Sequence, residues 1–192
     1  MIQTAVLPAR RNAIDYHAFG VPRDLWHNSM KSQIVNQKPE HLFALWFHKK
    51  TNPPSANPPI GVAFTQAEYG GDGVEFNSSP ISALLPDNLL AMGKDATLSL
   101  DWPGYAHLKY KAIINMDTTL GDLAAQVVCV FKHFYEKYHQ SFQGSGVRLG
   151  PFHVRFEQLR LRNIFFDGRL WHIEAAYVYD GLSSPLNIHF YP

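Results

Sequence analysis

The apolar and polar positions of this chain fall into a few periodic blocks. Residues 41–50 read HLFALWFHKK, with Phe43, Leu45 and Phe47 on one side of an extended strand and Leu42, Ala44 and Trp46 on the other. Both faces are apolar, which predicts an interior strand covered on both sides. Residues 51–59, TNPPSANPP, hold two proline pairs and two asparagines and predict a loop. The stretch 60–79 alternates around Gly70, Gly71, Asp72 and Gly73 and predicts a hairpin bent at those glycines. LLPDNLLAMGK, residues 84–94, predicts a short helix with Pro86 in its first turn and Gly93 at its end.

Residues 96–100 and 105–116 predict two strands joined by DWPG. In the second, Ala106, Leu108, Tyr110, Ala112 and Ile114 form an inward set, with Tyr105, His107, Lys109 and Lys111 pointing the other way. The clearest helix runs over about 119–139. Thr119 followed by Asp122 has capping-box spacing, and Leu120, Leu123, Ala124, Val127, Phe131, Phe134 and Tyr138 recur every three or four residues. The last third is strand-like: 153–166 and 169–179 flank Asp167-Gly168, a strong hairpin signal. The apolar phase slips between Phe156 and Leu159, predicting a bulge near Glu157. Residues 185–192 predict a short edge strand. At the other end, 1–21 have no period and read as an arm, and a helix opening at Pro22 is expected over 22–37.

The strands do not alternate with helices, which argues against a doubly wound parallel sheet. The fold class expected is α+β: a single domain over 1–192, with a strongly bent antiparallel sheet of about five to seven strands. The sheet packs on one long helix (about 119–139), with one or two shorter helices.

Composition sharpens this picture. With 46% hydrophobic and 14% aromatic residues and only 17% charged ones, the 192-residue chain has ample material for a core. Net charge is +1, which gives no global steering to nucleic acid or anionic membrane, while protonating all ten histidines would raise it to about +11. One cysteine makes no internal disulfide, and no CxxC is present for structural zinc. No apolar run reaches a membrane span and the first residues lack the signal-peptide pattern, so a cytoplasmic protein off the membrane is expected.

Candidate chemistry is sparse. Cys129 and His133 are neighbours on one helix face, yet no group is placed to orient the histidine, so Cys129 is expected as a partly buried flank residue. His133–Glu136 and His172–Glu174 have same-side spacings, but HExxH and PCxxC are absent, so neither a metal nor a cofactor is expected. The glycines at 70–73 match neither GxxxxGK[ST] nor GxGxxG and read as a turn.

Three functions follow in order. The first is a non-catalytic binding or interaction protein, whose aromatic and histidine-bearing pocket or sheet face meets a small molecule or protein partner. Trp46, Tyr110, Trp171 and Tyr177 are its candidate ligand-binding residues. The second is a cofactor-free hydrolase or isomerase using His172, Glu174 and His48 for acid–base work. The third is single-stranded nucleic-acid binding through Tyr105, His107, Lys109 and Lys111, a reading that the small net charge disfavours.

Overall fold

The computed structural model describes residues 43–178. The expected arm, the 22–37 helix and the 185–192 strand lie outside them. The architecture is α+β, a bent six-stranded sheet with one long helix and several short ones. The strands are β1 (Phe43–Trp46), β2 (Val62–Ala63), β3 (Asp95–Leu100), β4 (Tyr110–Asn115), β5 (Leu159–Phe166) and β6 (Trp171–Tyr177). The helices are α1 (Phe64–Ala67), α2 (Asp87–Leu90) and α3 (Leu120–Tyr138).

The spatial order is β1-β5-β6-β3-β4, with β2 pairing the far end of β5. Neighbours are antiparallel except at one seam, where β3 and β6 run parallel in register over two pairs, Leu98 with Trp171 and Ser99 with His172. The expectation of an all-antiparallel sheet is corrected there. Among the described residues β1 pairs only with strand β5, so it stands at one end of the order and not inside it.

Helix α3 forms where its stripe predicts. Leu120, Leu123, Ala124, Val127, Phe131 and Phe134 are buried in one core with Leu45, Leu98, Leu100, Ile114, Leu161, Ile164 and Phe166 from the sheet. Burial of that stripe stabilises the helix far more than its own propensities do. Thr119 caps it, its hydroxyl oxygen accepting from the Asp122 amide at 3.2 Å. The next free amides are taken as well: Leu120 N donates to Ser79 O and Gly121 N to Asn77 O, both at 2.8 Å. The positive end of the helix is thereby closed by backbone carbonyls.

Three local readings are corrected. Residues 64–67 are helical instead of continuing a hairpin strand, because i,i+3 spacing buries both Phe64 and Ala67, with Phe64 edge-on to Phe131 and Phe156. Residues 106–108 form a 3-10 turn that ends at Lys109 in the left-handed region (φ 47°), so β4 starts only at Tyr110 and the alternation breaks before it. Residues 156–158 are likewise a 3-10 turn, and the β5 bulge falls not at Glu157 but at Arg162.

Among the described residues no strand pairs with the outer edge of β4, which carries its own guard. Gln126 on α3 reaches the Asn115 backbone twice, accepting from its amide at 2.8 Å and donating to its carbonyl at 3.3 Å. A side-chain amide thus occupies the place of a neighbouring strand, and Lys111 is exposed further along the edge.

Two adjacent glycines test the packing beneath α3. Both Gly70 and Gly71 have positive φ, but a methyl group on Gly70 meets nothing within 4 Å, whereas on Gly71 it would lie 2.3 Å from the Gly121 Cα. Gly70→Ala is expected to cost about 1–2 kcal/mol of backbone strain. Gly71→Ala is expected to cost about 1–3 kcal/mol more from the overlap. Urea unfolding of the two variants side by side checks the difference.

Candidate functional site

Alternation along the strands sends one set of side chains to the sheet face away from the core. On β6 these are His172 and Glu174; on β3, Ser99; on β1, Trp46. Strand β5 adds two in succession, because the register passes from Leu161–Ala175 directly to Asn163–Glu174 and leaves Arg162 as the extra residue of a bulge. The result is a row of polar groups, most of them buried: Arg162 is 3% exposed and Asn163 1%.

The row has two ionic clusters. In the first, the His172 ring is held at both nitrogens, Nδ1 at 2.9 Å from Asp101 Oδ2 and Nε2 at 2.8 Å from Asp167 Oδ2. Ser99 donates its hydroxyl to the same Asp101 oxygen at 3.0 Å, and Phe165 stacks on the imidazole with centroids 5.0 Å apart. Asp167 is fixed by its own turn, its Oδ1 accepting from the amides of Arg169 and Leu170. Burial opposes a charged imidazole, but hydrogen bonds to the two aspartates and their charges outweigh it and raise the His172 pKa above its ordinary 6.5. Burial likewise opposes the Asp167 carboxylate, and the Leu170 amide, His172 and the Arg169 amide together prevail and hold its pKa below the usual 3.8.

In the second cluster Arg162 Nη1 donates to Glu174 Oε1 at 2.5 Å, and the Asn163 side-chain amide donates to Glu174 Oε2. The Arg162 guanidinium lies over the Trp46 ring, 5.9 Å from its centroid. His48, also buried and two residues beyond Trp46, has Nδ1 3.0 Å from Pro58 O.

The candidate acid–base residues are therefore all on or beside this row, but their partners differ from those expected. His172 and Glu174 share a face without bonding each other. The orienting groups of His172 are Asp101 and Asp167, 71 and 5 residues away in sequence. No Ser–His relay forms, since Ser99 donates to Asp101 and not to the imidazole.

The ligand-binding candidates do not meet in one cavity. Trp46 lies under Arg162 on the face away from the core. Tyr110 packs on the other side against Phe134 and Tyr138, and Trp171 against Phe43 and Phe166. Tyr177 is half-buried six residues along β6 from Trp171, about 20 Å at strand rise.

The expected basic aromatic row also breaks up. Tyr105 is fully buried, donating its hydroxyl to His139 O at 2.8 Å and accepting from the Leu149 amide at 3.1 Å, so it has no ring face to offer a base. His107 and Lys109 belong to the 3-10 turn and its cap, and only Lys111 stands on the strand. Cys129 and His133 are both exposed, so Cys129 is not the partly buried flank residue expected.

Among the described residues no three His, Cys, Asp or Glu side chains converge in an arrangement that would hold a metal ion. No described helix is long and apolar enough to cross a membrane. Comparison of the chain with family models, curated proteins and solved structures finds no match.

The sequence pattern singles out none of Asp101, Asp167 and Asn163 as a site residue, and it offers Arg162 only as a basic residue beside the expected nucleic-acid face. The Asp-Gly turn placed Asp167 correctly but gave no sign of its bond to His172. The bulge that turns Arg162 and Asn163 together leaves only an irregular phase in the sequence, which points to Glu157, five residues too early.

Two outcomes follow for stability. Glu174→Ala leaves the Arg162 charge buried without its carboxylate and is expected to cost about 3–5 kcal/mol in urea unfolding. For pH, a raised histidine pKa contributes stability that is fully present below the unfolded value near 6.5 and is lost as pH rises through the folded value. A lowered aspartate pKa contributes stability present above about 3.8 and lost as pH falls through the folded value. The cluster should stabilise the fold most between those limits, and urea midpoints from pH 3 to 9 should lose their alkaline limb in His172→Gln.

Proposed function

We propose that this chain is a non-catalytic binding or interaction protein that meets its ligand or partner through surface apolar side chains. One observation supports the reading above others: the ring nitrogens of His172 and the carboxylate oxygens of Glu174 are engaged with neighbouring side chains. A general base needs a nitrogen or oxygen within reach of a substrate proton. Both ring nitrogens of His172 face carboxylates, and both oxygens of Glu174 accept from Arg162 and Asn163. An imidazole held as a doubly bonded cation has no lone pair to accept a proton.

The side chains left outward are of another kind. Tyr69 is 72% exposed, Ile113 65% and Phe152 78%. Large aromatic and branched side chains in water lose little conformational freedom on contact and bury much area, which suits recognition better than chemistry.

The test is a comparison of turnover with binding on the full chain. Chromogenic esters, phosphoesters and glycosides are offered to the protein and to His172→Gln, and a fragment library is screened by protein-detected NMR. The reading predicts no turnover that His172→Gln abolishes, and fragment-induced shifts at Tyr69, Ile113 or Phe152. Turnover with a bell-shaped pH profile, lost in His172→Gln, would overturn it in favour of acid–base catalysis.

A further inference from the structure

We propose that the Asp101–His172–Asp167 cluster is a pH-sensitive clasp across the parallel seam of the sheet, and that the seam opens locally when the imidazole loses its proton. The geometry carries the inference. Strand β6 is in register with β5 over seven residue pairs and β3 with β4 over six, but β3 and β6 meet over only two. That short seam is where the β1-β5-β6 half of the sheet joins the β3-β4 half. His172 sits in the seam opposite Ser99, and its Nδ1 bonds Asp101 in the segment just after β3, while Nε2 bonds Asp167 in the β5–β6 turn. One cation thus ties the two halves together.

Among the described residues the groups facing the ring are Asp101 and Ser99 from the β3 side, Asp167 from the turn and Phe165 from β5. The Arg162–Glu174 pair stands two residues along β6 on the same face and is already neutralised internally.

Deprotonation removes one N–H and leaves a lone pair pointed at a carboxylate. The bond lost is the one across the seam. Asp167 is anchored to two amides of its own turn and lies in the same hairpin as His172, so it keeps the remaining N–H. Asp101 lies beyond the end of β3, on the other side of the seam, so its bond to the ring is the one that parting of the strands separates. The neutral ring therefore carries its proton on Nε2, and the Nδ1–Asp101 tie is broken.

Hydrogen exchange on the full chain from pH 5 to 9, corrected for intrinsic rates, tests this. Opening at the seam should grow by up to tenfold per pH unit between the value of the opened state, where Asp167 still holds the ring, and the higher value of the closed state, where Asp101 holds it too. Above that it levels off. The amides of Ser99, Trp171 and Ile173, which face across the seam, should show this loss, and those of Ala112 and Ile114, which face β3 from β4, should not. Asp101→Asn should flatten the response, and His172→Gln should do the same if the first variant does not fold. Seam amides that follow the same pH course as Ala112 and Ile114 would overturn the proposal, as would an unchanged response in either variant.

Discussion

A buried charge must find its opposite inside the protein, and the face of this sheet turned away from the core is organised by that requirement. Arg162 and Glu174 bring opposite charges where little water reaches, and Asn163 and the Trp46 ring complete their surroundings. Such a pair is a poor source of net stability, because desolvation consumes most of the attraction, but it punishes any arrangement that separates its members. Here the arrangement it enforces is the bulge. Without the extra residue, Arg162 and Asn163 would point to opposite faces, and only one of them could reach Glu174. The same bulge keeps Leu159 and Leu161 before it and Ile164 and Phe166 after it on the core side. One irregularity therefore serves both faces of the sheet.

The His172 cluster extends the same principle across the parallel junction of β3 with β6. A two-pair seam is a weak mechanical link, and a cation shared by two carboxylates from opposite sides reinforces it. The reinforcement depends on the proton that the imidazole carries. The face thus carries two ionic clusters, centred two residues apart on β6.

What was legible in the sequence was what has a period. The α3 stripe and its Thr119 cap, a short helix next to Pro86, and the pairing of β3 with β4 and β5 with β6 all follow from local spacing, although α2 ends at Leu90 and not at Gly93. The errors occur where a few residues satisfy two patterns. Phe64 and Ala67 suit a strand as well as a single helical turn, and only Phe131 and Phe156 packed around Phe64 decide between them. Tyr105 alternates correctly with Lys109 and Lys111, but a left-handed residue at Lys109 breaks the phase and lets Tyr105 point into the core. Of the candidate site, His172 and Glu174 were legible as a same-face pair. Their partners were not, since Asp101 reaches His172 only through the parallel seam, a long-range pairing that leaves no trace in local periodicity.

The central claim is that the chemistry of this face is turned inward, with His172 held as a cation by two carboxylates. The most direct measurement is the protonation of both ring nitrogens of His172 by nitrogen-15 NMR at pH 6.5, where half of a free imidazole population would be neutral. The account predicts a predominantly doubly protonated ring with both protons slow to exchange. A ring that is mainly neutral at that pH, with one nitrogen unprotonated, would contradict it and restore His172 as a base.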